Sequence, residues 1–361
     1  VERFGGPEVL DYREDLSEPE WAEDFHLVAV ESAGVNFADT HQAADDYLAR
    51  QSLPLIPGSE VVGRIIRPAR GHEHLAAGVA SSPTETPSHQ IEDSYLSKTT
   101  LPLVPGSEVV GTTPDGTRVA AFSLTGGYCE KALVHPSAAF PVPAGVSDGQ
   151  ALSLLVQGLT AWHLLRTSTH LQPGESVVVH AAAGGVGTLA VQLAKAWGAG
   201  RVIGVASAPA KRALAESLGA DVTVDAGEAD LKGALEQANG GRKVDVVLEM
   251  VGGPTFDASL AALAPFGRLA TFGMASRTAP KPLDPGSLMS RSRAVIGFWL
   301  AHCFGRPELL QPQMAELLSM VEAGTLTPVV GGTYPLSEAQ RAHEDLRSRA
   351  SQGKLVLDVR A

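Results

Sequence analysis

Two hydrophobic rhythms divide the chain. Up to about residue 147, apolar positions come in short β-branched bursts separated by Gly and Pro, the pattern of short strands. Residues 26–30 and 32–36 form one such stretch, and 117–122 and 128–134 form others. Residues 4–7 read as a turn, and Pro136, Pro141 and Pro143 mark the end of the strand-rich part. Beyond 147 the period changes. Helical patterns at 151–166, 188–197 and 210–218 alternate with apolar runs at 176–180, 201–206, 222–224, 244–248 and 268–272. Helical stretches also precede the last two of these runs. This alternation predicts an α/β region built on a parallel, doubly wound sheet. Two more helices, 313–323 and 338–349, and a strand at 354–358 follow.

An internal repeat interrupts the first part. Residues 41–63 and 89–111 match at 15 of 23 positions, offset by 48. Two copies are too few to stack as a solenoid, which needs three or more. A local duplication, a chimera or a gene-model error is the better reading; the second copy runs straight into the strand at 117–122 and is expected to fill the structural position. The first copy and the Pro- and Ser-containing stretch 64–88 are then expected to loop out or to displace the pocket edge.

Composition narrows the class. The 361 residues suggest two domains, and 44% hydrophobic with 19% charged residues is a globular balance. A net charge of -12 argues against a nucleic-acid or anionic-membrane partner, because both surfaces repel it. No apolar run is long enough to span a bilayer, and the opening residues carry no secretory pattern. The two cysteines, Cys129 and Cys303, form no C-x-x-C pair and are expected to be reduced thiols, in a cytoplasmic setting.

The most chemically specific segment is His180-Ala-Ala-Ala-Gly-Gly-Val-Gly187, between a predicted strand and a predicted helix. Against G-x-G-x-x-G it reads Ala182-x-Gly184-x-x-Gly187. Small residues let the backbone approach a pyrophosphate, and the helix start supplies amides and a positive dipole end. The next strand ends without the Asp or Glu that would hold a ribose 2'-hydroxyl: Ala206, Ser207 and Ala208 stand there, followed by Lys211 and Arg212. A hydroxyl and a cation suit a 2'-phosphate, which favours NADPH over NADH.

With these residues in place, the chain resembles the medium-chain dehydrogenase/reductase superfamily, in its zinc-independent quinone oxidoreductase (zeta-crystallin-like) branch. The resemblance rests on Gly34-Val-Asn-Phe-Ala-Asp39, Pro105-Gly-Ser-Glu-Val-Val-Gly111 with its earlier copy, and Gln157-Gly-Leu-Thr-Ala161. It also rests on 181–187, Leu218-Gly-Ala-Asp221, Gly267-Arg-Leu269 with Gly273, and Gln352-Gly-Lys354, and it covers nearly everything but 64–88. It implies a GroES-like β-rich catalytic domain from 1–147 and 287–361, a Rossmann NADPH-binding domain from 148–286, and an active cleft at their junction. Where zinc-dependent relatives have Gly-His-Glu, this chain has Gly58-Ser-Glu60 and Gly106-Ser-Glu108, and serine is a poor zinc ligand. Gly71-His-Glu-His74 lies in the inserted stretch and reads as a coincidental loop, so no metal is expected.

The resemblance assigns roles by position. Asn36 and Asp39 are expected in the catalytic pocket, and Gln157 and Thr160 near the nicotinamide. Gly184, Gly185, Val186, Gly187 and Gly273 are expected to line the cofactor. Ser207, Lys211 and Arg349 are expected at its 2'-phosphate, and Lys354 at its phosphates. The implied reaction passes a hydride from NADPH to a quinone or another activated double bond. No side-chain acid is required, because the reduced oxygens of a quinone take protons from water. Two other readings stay open: an enoyl or enone reductase of the same superfamily, and a non-catalytic NADPH-binding protein. The apolar stretch 287–300 reads as an edge strand that invites pairing across a two-fold axis, so a homodimer is expected.

Overall fold

A computed structural model describes residues 1–46, 51–58, 60–71, 109–112, 118–123 and 126–361. Two compact units divide the chain: 1–156 with 303–322 and 330–361, and 157–302 with 323–329. The first begins with β1 (His26–Val35), α1 (Phe37–Ala44), β2 (Glu60–Arg67), β3 (Val109–Thr112), β4 (Arg118–Ser123), β5 (Lys131–Pro141) and α2 (Asp148–Ser153). The second holds α3 (Leu159–His163), β6 (Ser176–His180), α4 (Gly185–Ala196), β7 (Arg201–Ala206), α5 (Pro209–Ser217) and β8 (Val222–Asp225). It continues with α6 (Leu231–Ala238), β9 (Val244–Glu249), α7 (Gly253–Ala262), β10 (Leu263–Thr271), α8 (Pro285–Met289) and β11 (Ala294–Gly297). The chain then returns to the first unit through α9 (Gln311–Glu322), β12 (Val330–Pro335), α10 (Ala339–Arg347) and β13 (Lys354–Asp358).

In the first unit seven strands form one sheet, ordered β12-β13-β1-β2-β4-β3, with β5 pairing both β1 and β4. β1 is its centre and shows how parity is managed. Val28 and Val30 face the core; a register shift between Val30 and Ser32 flips the alternation, so that Ala33 and Val35 face it afterwards. Ile65, Val119, Ala121, Val134, Leu355 and Leu357 complete that core.

β5 runs through Pro136 and ends at Pro141. It pairs with β1 from Lys131 to Val134, and with β4 at Val134 and again from Ala139 to Pro141. Pro136, which has no N–H to donate, sits where the partner changes. The short helix α1 has no counterpart among the sequence-based elements. Its signal was the pair Asn36 and Asp39, an N-cap with an acidic residue at its third position.

The duplicated segment behaves differently from the expectation. The first copy does not loop out: β2 pairs with β1 from Gly34↔Glu60 to Leu27↔Arg67, so 64–67 continue a strand. β2 also pairs with β4, Val61↔Ala121, Val62↔Ala120 and Gly63↔Val119. β3, from the second copy, takes the same register on the same residues, Val109↔Ala121, Val110↔Ala120 and Gly111↔Val119. The remainder of the second copy and residues 72–88, including His72 to His74, lie outside the described residues.

The second unit is a six-stranded parallel sheet ordered β11-β10-β9-β6-β7-β8. Chain order reverses between β6 and β9, and such a switch point opens a crevice at the carboxyl ends of the strands. β6 is buried at all five positions, as a strand covered on both faces must be. The boundaries differ from the expected 148 and 286. β11 pairs with β10, which draws 287–302 into the second unit, while 148–156 stay with the first. The helical stretch at 148–168 is also less regular than its sequence suggests, with π-helical turns at Leu154–Gly158 and Leu164–Ser168. No helix among the described residues is long and apolar enough to cross a membrane.

Candidate active site

The switch point falls on the glycine-rich segment. β6 ends at His180, and Ala181 turns the chain with φ +51°. α4 starts at Gly185, with Gly184 as an N-cap that carries no capping side chain. The amides of a first helical turn have no intrahelical acceptor, so this end is suited to phosphate oxygens. Gly187 is dictated by packing: a Cβ there would lie 2.2 Å from the Ala181 carbonyl oxygen and 2.7 Å from the Ala182 Cα. Gly204 on β7 has the same cause, since a Cβ would meet those of Ala182 and Ala215 at 3.2 Å. Helix, strand and loop are thus held as close as the three-glycine fingerprint demands, with alanine tolerated at its first position.

Two ionisable groups brace this end of the sheet. His180 is buried, its Nε2 sits 2.8 Å from Ser259 Oγ, and burial pushes its pKa down to about 4. Glu249 closes β9 and is fully buried. One carboxylate oxygen accepts from the amides of Val251 at 2.7 Å and Gly252 at 2.9 Å. The other, Oε2, is buried without a hydrogen-bond partner among the described residues. Burial raises the Glu249 pKa, against the pull of those two amides. Neither residue was singled out from the sequence; a Glu closing an apolar strand was the available signal for Glu249.

Next along the sheet, Ser207 is exposed just past the end of β7, and Lys211 stands half-buried in the first turn of α5. Arg212, read from the sequence as a second phosphate cation, is placed otherwise. Its Nη1 bonds Asp225 Oδ2 at 2.7 Å and the Ala206 carbonyl at 3.1 Å. The carboxylate that β8 brings beside Ala206 therefore has its own counter-ion. On the other flank Gly273 lies beyond β10, where a Cβ would come within 3.3 Å of Met250. Gln157 and Thr160 are both buried, Gln157 in the first π-helical turn and Thr160 in α3. Such turns break the regular helical ladder and recur at functional sites. So Gly184 to Gly187, Ser207 and Gly273 follow the carboxyl ends of β6, β7 and β10, three strands of one sheet.

The other predicted residues lie in the first unit. Asn36 caps α1, and its amide donates to Asp39 Oδ2 at 2.8 Å. Asp39 is fully buried and also accepts from the Tyr128 hydroxyl at 3.1 Å. Its carboxylate thus supports Asn36 from behind. Lys354 opens β13, 2% exposed, with Nζ 3.0 Å from Asn36 Oδ1. Burial pushes its pKa well below the lysine range, and the Asp39 charge pulls it back up. Asn36 is thus a buried partner of Lys354 within the unit. Arg349 is exposed after α10, in a left-handed backbone conformation with φ +59°. Tyr128 and its neighbour His343, 2.9 Å away, were missed from the sequence; 215 residues separate them.

A parallel sheet with an uncapped glycine turn at its switch point, carried by a chain whose other unit is a β-sheet built from both ends, defines a two-unit dinucleotide-dependent oxidoreductase. Comparison with known proteins agrees. Residues 22–144 match the family model "Alcohol dehydrogenase GroES-like domain", and 185–322 match "Zinc-binding dehydrogenase". A quinone oxidoreductase of Pseudomonas aeruginosa is 32% identical over 98% of this chain and 97% of its own length. A mycobacterial protein solved in complex with NADPH superposes with a TM-score of 0.81 at 34% identity, covering 99% of this chain and 98% of its own. The Escherichia coli quinone oxidoreductase complexed with NADPH gives 0.78 at 31%, with coverages of 99% and 98%. The chain belongs to the quinone oxidoreductase branch of the medium-chain dehydrogenase/reductase superfamily.

Proposed function

We propose that the chain is an NADPH-dependent reductase that acts on a quinone or a similarly activated acceptor without zinc. The observation that carries this is the uncapped turn of α4 at the switch point, followed by a β7 that ends in Ala206 and Ser207 instead of an acid. The residues present fit the cofactor: open amides for the pyrophosphate, and Ser207 with Lys211 for the 2'-phosphate. When bound, NADPH supplies the hydride. The chain supplies the cradle at Gly184 to Gly187, the flanking Gly273, and Asn36, Gln157 and Thr160 as polar groups for the reacting ends.

Zinc independence is supported by the ligand set. Serine follows Gly58 and Gly106 where zinc relatives carry histidine. β11 is an edge strand of the six-stranded sheet, which supports a homodimer through strand pairing; light scattering after size exclusion tests it. The two thiols support a cytoplasmic setting.

Two measurements test the reading. Fluorescence titration should give a lower Kd for NADPH than for NADH, and Lys211→Ala should weaken NADPH about tenfold while leaving NADH unchanged, the scale of one charge-assisted hydrogen bond. Purified protein should oxidise NADPH with 1,4-benzoquinone. Turnover confined to an enone or enoyl thioester would move the assignment to carbon–carbon double bonds, and binding without any turnover would make it a cofactor-binding protein.

A further inference from the structure

Behind Asn36 lies a cluster of polar side chains joined by hydrogen bonds. Tyr128 Oη lies 3.1 Å from Asp39 Oδ2 and 2.9 Å from His343 Nε2. The hydroxyl has one proton, and an ionised carboxylate only accepts, so that proton points at Asp39. His343 Nε2 must then be the N–H that donates to Tyr128. This agrees with His343 being neutral, its pKa lowered to about 4 by burial and, less, by Arg347. The same Asp39 oxygen receives the Asn36 backbone amide at 2.8 Å, which fixes the backbone of Asn36. Its side chain is fixed separately. Lys354 Nζ donates to Asn36 Oδ1 at 3.0 Å, which holds the side-chain amide. Lys354 is buried, and Asp39 is the charge that offsets it.

We propose that Lys354, Tyr128 and His343 are positioning residues that hold the Asn36 side chain in one orientation toward the reacting molecules. The ammonium sets the amide; the hydrogen-bonded line His343, Tyr128, Asp39 sets the turn that carries it. A lone buried ammonium or carboxylate is costly, whereas the pair, spread across α1 and β13, locks two distant elements at one residue. The inference rests on Asn36 meeting the reacting ends, so its test includes a readout that needs no turnover.

Four variants separate positioning from bulk stability: Tyr128→Phe, Lys354→Met, Asp39→Asn and the double change Lys354→Met with Asp39→Asn. Lys354→Met alone should lower Tm sharply, because Asp39 loses its counter-charge. The double variant should regain much of that Tm yet keep kcat with benzoquinone about tenfold down at unchanged KM for NADPH, the scale of a misplaced polar group. Tyr128→Phe should fold and show a smaller fall in kcat. Independently of activity, asparagine-selective ¹⁵N labelling should show one sharp side-chain amide pair for Asn36 in the wild type, split or broadened in the double variant. Wild-type kcat in the double variant, or an Asn36 amide signal that does not change, would overturn the proposal. A wild type that turns over no acceptor but shows the amide change would refute the functional reading and leave the positioning intact.

Discussion

Acid should weaken the nucleotide unit through one residue. His180 ends β6 at the mouth of the glycine loop, 2% exposed, with a pKa near 4. The folded unit holds the neutral ring, while the unfolded chain takes a proton once pH falls below about 6.5. The histidine's contribution is therefore complete above 6.5 and is lost as pH falls toward 4, by up to about 1.4 kcal/mol per pH unit. At pH 5 the two pKa values give a loss of about 2 kcal/mol. Glu249 in the same unit titrates in the opposite sense, since burial raises its carboxyl, so the comparison must be between proteins at each pH. Guanidinium unfolding at pH 8 and pH 5, on wild type and His180→Gln, supplies it. Trp162, Trp197 and Trp299 lie in 157–302 and Trp21 alone outside, so tryptophan emission follows the right unit. The wild type should lose about 2 kcal/mol more than the variant between these pH values. Equal losses, within about 0.5 kcal/mol, would refute the reasoning.

Other outcomes follow from packing and register. Gly187→Ala should abolish measurable NADPH binding and lower Tm, because its Cβ would meet backbone at 2.2 Å; titration calorimetry and a melt read both. Arg268 holds both oxygens of Glu175 at 2.7 Å and the carbonyl of Thr169 at 2.9 Å, so Arg268→Ala should cost about 2–3 kcal/mol in chemical denaturation. Deleting 64–111 joins Gly63 to Thr112 and leaves one copy of the repeat. Val61 and Val109 register on the same Ala121. The shortened chain should keep NADPH affinity within about twofold but lose about 2–5 kcal/mol in chemical denaturation, because 64–67 pair with β1 and Ile65 is buried in the core.

Periodicity and residue chemistry determined much by themselves. The apolar runs at 201–206 and 354–358 are strands with those same bounds, because a buried parallel strand and a closing core strand leave little freedom in composition. The segment 180–187 announced its turn because only small residues tolerate a strand, a loop and a helix that close together. Other matters depended on partners far along the chain. Nothing near Pro136 says that β5 changes neighbours there, nor does anything near β2 reveal that the first copy lies along β1. No local pattern brings Lys354 to Asn36, 318 residues away, or Asp225 to Arg212; the two sheets do. Local pattern sets what an element is, because spacing and size act over a few residues. Which charges meet, and so which remain for the cofactor, is set by tertiary contact, because electrostatic pairing depends on distance in space and on burial, neither of which sequence separation records.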